Sequence, residues 1–232
     1  MTAIYLFCCM MVTLGVLLYA DFECSHYMIL VFKTISSLLF ILTGFFSAKF
    51  QRKNKFSWYT RFILIGLFFS LGGDFFLALD TNKGIFFIIG VISFALAHIS
   101  YMAGFFQYDK LEKLNVIWSI IIFTPLFLLM TFSGLFRFDG LYPIVIFYAV
   151  LLSCMVANSF SLWKYRHHHK RVVYMTLAGT LMFLISDYIL LFSFFMPSFP
   201  ASSGLVFNNS IYYIGQGILA LSLKYYIPAG QK

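Results

Sequence analysis

Long apolar runs, each about as long as a bilayer crossing, follow one another along this chain with only short polar breaks between them. A helical span needs ~20 apolar residues. Eight segments qualify: Thr2–Ala20, Met28–Ala48, Tyr59–Leu79, Gly84–Gln107, Leu114–Ser133, Leu141–Trp163, Val172–Phe195 and Leu205–Ile227. The runs are continuous and do not alternate between apolar and polar positions, which favours helices over a membrane barrel. The breaks hold turn formers: Asp80-Thr81-Asn82-Lys83-Gly84, Asp139-Gly140, and the stretch from Pro197 to Gly204. The pattern predicts an all-α integral membrane protein of eight transmembrane helices, with residues 1–232 forming one transmembrane domain.

Composition agrees. The chain is 62% hydrophobic and 10% charged, whereas soluble domains are ~45–50% apolar and ~25% charged. No stretch is left over for a soluble domain. Met1–Ala20 lacks a basic start and runs directly into the first span, so it reads as a retained helix and not a cleaved leader.

The basic residues give an orientation. Lys49, Arg52, Lys53, Lys55, Arg61, Lys110, Lys113, Lys164, Arg166, Lys170, Arg171, Lys224 and Lys232 fall on one side, thirteen of the sixteen Lys and Arg. Asp21, Glu23, Asp80 and Asp139 fall on the other, with only Lys83 and Arg137 as cations. Cytoplasmic loops carry the excess of Lys and Arg, so both termini are expected in the cytoplasm, across the inner membrane if the source is bacterial. The net charge of +8 then reads as an attraction to anionic membrane lipids. Nucleic acid is not an expected partner, because the basic residues flank spans and no folded domain presents them. Cys8, Cys9 and Cys154 lie within spans and act as small apolar residues, and Cys24 has no evident partner. No spacing resembles a zinc, redox or cofactor motif.

Two carboxylates interrupt the apolar pattern. Asp74 and Asp187 stand deep in the third and seventh runs. A charge at membrane depth costs at least ~2.5–3.5 kcal/mol, so such residues mark function or a structural ion pair. Each acid follows a glycine eight residues upstream, Gly66 and Gly179. At this offset of 113 residues helix one falls on helix five and helix four on helix eight. Two four-helix halves, about 1–110 and 111–232, are therefore expected to enter the membrane in the same direction around an axis along its normal. Asp74 and Asp187 would then face each other at similar depth. Gly66, Ser70 and Gly73 make a line of small residues beside the first acid, a groove for close helix packing.

Other polar residues reach comparable depth: Lys33, Tyr148 and Asn158, and the pairs His98/Tyr101 and Tyr213/Gln216, each spaced i, i+3. Lys33 suits either snorkelling to the interface or pairing with a carboxylate or lipid phosphate. His98 suits either a hydrogen-bonded core or proton transfer. The run His167-His168-His169 reads as a solvated basic connection.

Taken in order, Arg61-x4-Gly66-Leu67-x2-Ser70-x2-Gly73-Asp74-x2-Leu77, His98-x2-Tyr101, Gly179-x6-Ser186-Asp187 and Tyr213-x2-Gln216 resemble the YhhN-like lysoplasmalogenase family, from about Lys33 to Leu221. The resemblance implies a multi-pass membrane enzyme that hydrolyses the vinyl ether bond of lysoplasmalogens, with a lysophospholipid substrate and no cofactor. It carries the two family acids onto Asp74 and Asp187. One departure stands at the second span, where members often have Lys-Pro and this chain has Lys33-Thr34. Lys33, His98, Tyr101, Tyr148, Tyr213 and Gln216 are expected to bind the substrate, with Lys33, Tyr148 and Tyr213 near its phosphate or glycerol.

The implied chemistry suits a carboxyl pair. Protonating the outer alkene carbon gives an oxocarbenium ion, water adds, and the hemiacetal collapses to aldehyde and alcohol. One carboxylic acid is expected to supply the proton while the other, as carboxylate, steadies the cation and activates water. Glycoside hydrolysis uses two carboxyls around a similar transition state. A proton-coupled transporter built on a two-fold repeat is the main alternative, although Pro125 and Pro143 do not correspond under the repeat. A zinc-dependent membrane hydrolase would want several histidines within the spans, and only His98 is there. A lipid-binding or scaffolding protein would leave the buried acids unexplained.

Overall fold

The computed structural model describes residues 1–23, 25–49, 56–107, 112–167 and 169–226. Cys24, Arg52, Lys53, Lys55, Lys110, His168 and Lys232 lie outside the described residues. Among the described residues eight α-helices follow one another: α1 (Thr2–Phe22), α2 (His26–Ala48), α3 (Trp58–Leu79), α4 (Ile85–Phe105), α5 (Lys113–Phe132), α6 (Tyr142–Ser161), α7 (Lys170–Phe195) and α8 (Ala201–Ser222). Short 3₁₀ turns, Leu162–Tyr165 and Leu223–Tyr225, extend α6 and α8. Local chemistry sets several ends. The Ser57 hydroxyl accepts the Thr60 N–H and caps α3. Pro143 sits in the first turn of α6, where its missing N–H costs nothing. Pro125 lies inside α5 and removes one ladder bond there.

Seven of the helices, α1 to α7, are long and apolar enough to cross a membrane. The eighth departs from the expected Leu205–Ile227 run: it starts four residues earlier and its α-helical part ends at Ser222. It falls short as an apolar span because it carries Asn208, Asn209, Tyr212, Tyr213 and Gln216, all buried. α8 packs against α1, α2, α3 and α7, so its polar groups face protein and not lipid. The apolar surface is turned outward in compensation, with Phe68, Ile92, Ile120, Phe147 and Ile185 all exposed.

Within the first half α1 packs on α2, α2 on α3, and α3 on α4. Within the second, α5 packs on α6, α6 on α7, and α7 on α8. Between the halves α2 meets α8 and α4 meets α6. The line of small residues on α3 receives rings from α4: a side chain at Gly66 would meet the Tyr101 ring, and one at Gly73 the Phe94 ring. Gly179 of α7 and Gly215 of α8 approach one another through their backbones in the same way. These contacts set the two acid-bearing helices tightly against α4 and α8.

Candidate active site

Asp74 lies five residues before the end of α3, and Asp187 eight before the end of α7. Both are therefore near the cation-poor end of the bundle. Asp74 is 2% exposed and belongs to a dense polar cluster. Ser37 of α2 donates to its Oδ2 at 2.6 Å, and Tyr212 of α8 donates to the same oxygen at 2.8 Å. The Tyr213 hydroxyl donates to the Lys33 carbonyl at 3.2 Å and lies 3.2 Å from the Ser37 hydroxyl. Lys33 is itself buried, one helical turn before Ser37 on α2.

Asp187 has sparser company. Tyr148 of α6 donates to its Oδ2 at 2.6 Å. His98 of α4 places Nε2 2.9 Å from the Tyr148 hydroxyl and 3.8 Å from the Asp187 oxygen. With the tyrosine proton committed to Asp187, His98 donates from Nε2, and its buried Nδ1 has no hydrogen-bond partner. The three groups form a short chain, His98 to Tyr148 to Asp187, along which protons can move.

The two carboxyls do not hydrogen-bond each other, and aromatic ring contacts link their clusters. Tyr212, bound to Asp74, packs edge-on against Phe183 at 5.3 Å and Phe94 at 5.9 Å, and Phe183 packs on His98 at 4.9 Å. Asp74 thus takes its donors from both halves, α2 and α8, whereas Asp187 takes its donor from α6 of its own half, with His98 of α4 behind that donor.

A cavity of about 60 Å³ ends on Asp187 and Tyr148. Its other walls are apolar, among them Leu77, Phe87, Phe94, Phe194 and Phe195. One water needs ~10–15 Å³ by this measure, so the space admits a few waters. Ligand sites hold ~300–1,000 Å³, so a lipid chain enters only when these side chains move apart. Asp74 does not line this cavity; Phe94 does, and it packs on the Tyr212 ring that covers Asp74.

The remaining residues singled out from the sequence fall at different distances from this centre. Tyr213 and Lys33 belong to the Asp74 cluster, and Tyr148 and His98 to the Asp187 chain. Tyr101 and Gln216 instead close a buried triangle with Ser70: Tyr101 donates to Gln216 Oε1 at 3.0 Å, Gln216 donates to Ser70 Oγ at 3.1 Å, and the two hydroxyls are 3.2 Å apart. That triangle ties α3, α4 and α8 together away from the cavity. Asn158 is bound by Asn115 of α5 at 3.0 Å, also away from both acids. Asp21, placed by its sequence among surface acids, is 4% exposed and accepts from Asn209 of α8 at 2.6 Å. Sequence reasoning missed Ser37 and Tyr212. The available signals were the i, i+4 spacing of Ser37 from Lys33 and the adjacency of Tyr212 to Tyr213.

The family model described as YhhN family matches residues 28–223, most of the chain. No curated protein and no solved structure matches it.

Proposed function

Because the chain belongs to the YhhN family, we propose that it is a membrane hydrolase of the lysoplasmalogenase type, cleaving the vinyl ether bond of alkenyl lysophospholipids to a fatty aldehyde and glycerophosphocholine or glycerophosphoethanolamine. The observation that carries this reading is a carboxyl, Asp187, at the polar end of an otherwise apolar cavity, served by a tyrosine and a histidine. An apolar wall suits an alkenyl chain, and a single acid facing it suits an alkene that must be protonated on carbon.

Asp187 gives its proton to the outer alkene carbon, leaving a carboxylate beside the new oxocarbenium ion. Water adds to that cation and returns a proton to Asp187. The hemiacetal collapses as Asp187 protonates the glycerol oxygen and takes the hydroxyl proton, so the acid ends the cycle as it began. Tyr148 holds the reacting carboxyl in place, and His98 orders Tyr148. Asp74 lies one aromatic layer behind, so its part is electrostatic and not direct water activation. A further negative group in a dry interior acts over a longer range than in water. No cofactor takes part in this scheme.

The test is aldehyde release by purified protein from an alkenyl lysolipid and from its acyl counterpart. Release is expected from the alkenyl lipid alone. Asp187→Asn should lower the rate by roughly 10²–10⁴-fold, and Asp74→Asn should also lower it strongly, with both variants inserting and purifying as wild type does. Aldehyde release by Asp187→Asn within a few-fold of wild type would contradict the scheme.

A further inference from the structure

We propose that the pocket formed by Lys83, Arg137 and Asp139 at the cation-poor end of α7 holds the zwitterionic headgroup of a single-chain phospholipid, phosphate on the two cations and ammonium toward the carboxylate. The inference rests on the lipid reading of the Asp187 cavity and adds to it a site for the polar end of the same molecule.

Lys83 and Arg137 are the only lysine and arginine in the four connections at that end of the bundle. They come from separate connections, α3–α4 and α5–α6, yet both line one pocket of about 230 Å³, together with Asp139. Each is fixed to the end of α7. Asp80 accepts the backbone N–H groups of Lys83 and Gly84 at 2.6 and 2.9 Å, holding Lys83 at a φ of +54°, a conformation uncommon for a residue of its kind. The Lys83 ammonium then donates to the Phe194 carbonyl at 2.6 Å and rests over the Phe195 ring. Arg137 donates its backbone N–H to the Phe195 carbonyl at 2.7 Å, and its side chain is exposed.

Capping a helix C-terminus accounts for one N–H of Lys83. It leaves two more on the ammonium and does not account for the guanidinium of Arg137 or for Asp139 in the same pocket. Two cations beside one carboxylate complement a phosphate beside an ammonium.

The pocket also adjoins the reaction cavity. Phe194 and Phe195 line both, so the two spaces are separated by those rings. Asp187 and Phe194 are seven residues apart on α7, roughly 10 Å along the axis. In an alkenyl lysophospholipid only the glycerol backbone separates phosphate from alkene, a comparable reach once the Lys83 and Arg137 side chains are extended. A lipid with its phosphate between these cations would pass its glycerol over the Phe194–Phe195 step and set its double bond at Asp187.

The experiment measures binding of saturated alkyl-ether lysolipids, which lack the alkene, to the full-length protein in nanodiscs. Wild type should bind 1-alkyl-glycerophosphoethanolamine at least about ten-fold more tightly than the 1-alkylglycerol of equal tail, the scale of one charge-assisted hydrogen bond. The double variant Lys83→Gln/Arg137→Gln should lose that preference while binding 1-alkylglycerol unchanged. Asp139→Asn should weaken the ethanolamine lipid relative to the alkyl phosphate that lacks the amine. The single variant Arg137→Gln, altered at an exposed side chain, should show a partial loss and serves if loss of the Lys83 cap unfolds the end of α7. Equal wild-type affinities for the phosphate lipid and the alkylglycerol, or a preference that survives in the variants, overturns the proposal. So does equal binding of glycerophosphoethanolamine without a tail, which would assign the pocket to a soluble phosphate compound. Because the readout is binding, a protein that releases no aldehyde but shows the charge-dependent preference overturns the hydrolase reading and leaves this one standing.

Discussion

The surroundings of the two carboxyls divide their work. Asp74 has two hydroxyl donors, Ser37 and Tyr212, whereas Asp187 has one tyrosine and an apolar cavity. Removing a donor should therefore matter more at Asp187. Tyr148→Phe takes away the only side-chain hydrogen bond to the Asp187 carboxyl among the described residues and strands the His98 Nε2 as well, so kcat for aldehyde release is expected to fall roughly 10- to 100-fold, the effect of a hydrogen bond to a charged group. Tyr212→Phe leaves Asp74 with Ser37, and its kcat should fall several-fold less. Equal losses would remove the ground for treating Asp187 as the reacting acid. The acids themselves were legible in the sequence because a carboxylate contrasts sharply with a run such as Leu67 to Leu77. Their donors were not. Serine in a helix commonly bonds its own backbone, as Ser100 does with Leu96, and nothing in the sequence marks Ser37 as turned toward another helix. Among fifteen tyrosines, Tyr212 is set apart only by standing next to Tyr213, and that adjacency does not show which helix it faces until α8 is packed.

Helix packing gives the glycines of α3 their purpose. Phe94 and Tyr101 are seven residues apart on α4 and fill the places left by Gly73 and Gly66, seven apart on α3, in reversed order as antiparallel neighbours must. The Tyr101 ring cannot swing aside freely, since its hydroxyl is tied to Ser70 and Gln216. An added methyl at Gly66 would lie 2.3 Å from that ring. Gly66→Ala should thus destabilise by about 1–3 kcal/mol, the usual cost of overpacking. Gly15, where nothing lies within 4 Å of the added carbon, provides the contrast: Gly15→Ala should leave stability unchanged or raise it. Thermal unfolding in detergent measures both, and a Gly66→Ala protein as stable as wild type would show that the α3–α4 contact yields more easily than its geometry implies. The sequence revealed this groove through the i, i+4, i+7 spacing of Gly66, Ser70 and Gly73 but not its occupant, because ring positions on α4 acquire meaning only once the register of two helices is set. α8 shows the opposite limit. Its asparagines, tyrosines and glutamine make it the least apolar of the helices. Length and hydropathy describe a lipid-facing span well and a protein-enclosed helix poorly.

At the scale of the whole molecule, consecutive helices pack on one another within each half, and the α2–α8 contact has its counterpart in α6–α4, but the α1–α8 contact has no comparable counterpart between α5 and α4. The site adds a chemical consequence. Ser37 belongs to the first half and Tyr212 to the second, yet both bind Asp74; Tyr148 belongs to the second half and His98 to the first, yet both serve Asp187. Asp74 draws one of its two donors from the other half, and the donor of Asp187 is itself held by His98 of the other half. Expressed alone, residues 1–107 would expose the α2 and α4 faces that α8 and α6 cover, and residues 112–232 would expose the reverse faces. The first fragment would then hold Asp74 without Tyr212, and the second would hold Asp187 on a Tyr148 that lacks His98, costly states in a membrane interior. Cutting the chain between Gln107 and Glu112 separates the halves without removing a residue that touches either carboxyl. The expected result is no aldehyde release from either fragment alone and recovery of activity when both are produced together in one membrane, read by co-purification through a tag on one fragment. An active isolated fragment would mean that one acid and its own half suffice, and the contacts that Tyr212 and His98 make across the interface would then have no part in the reaction.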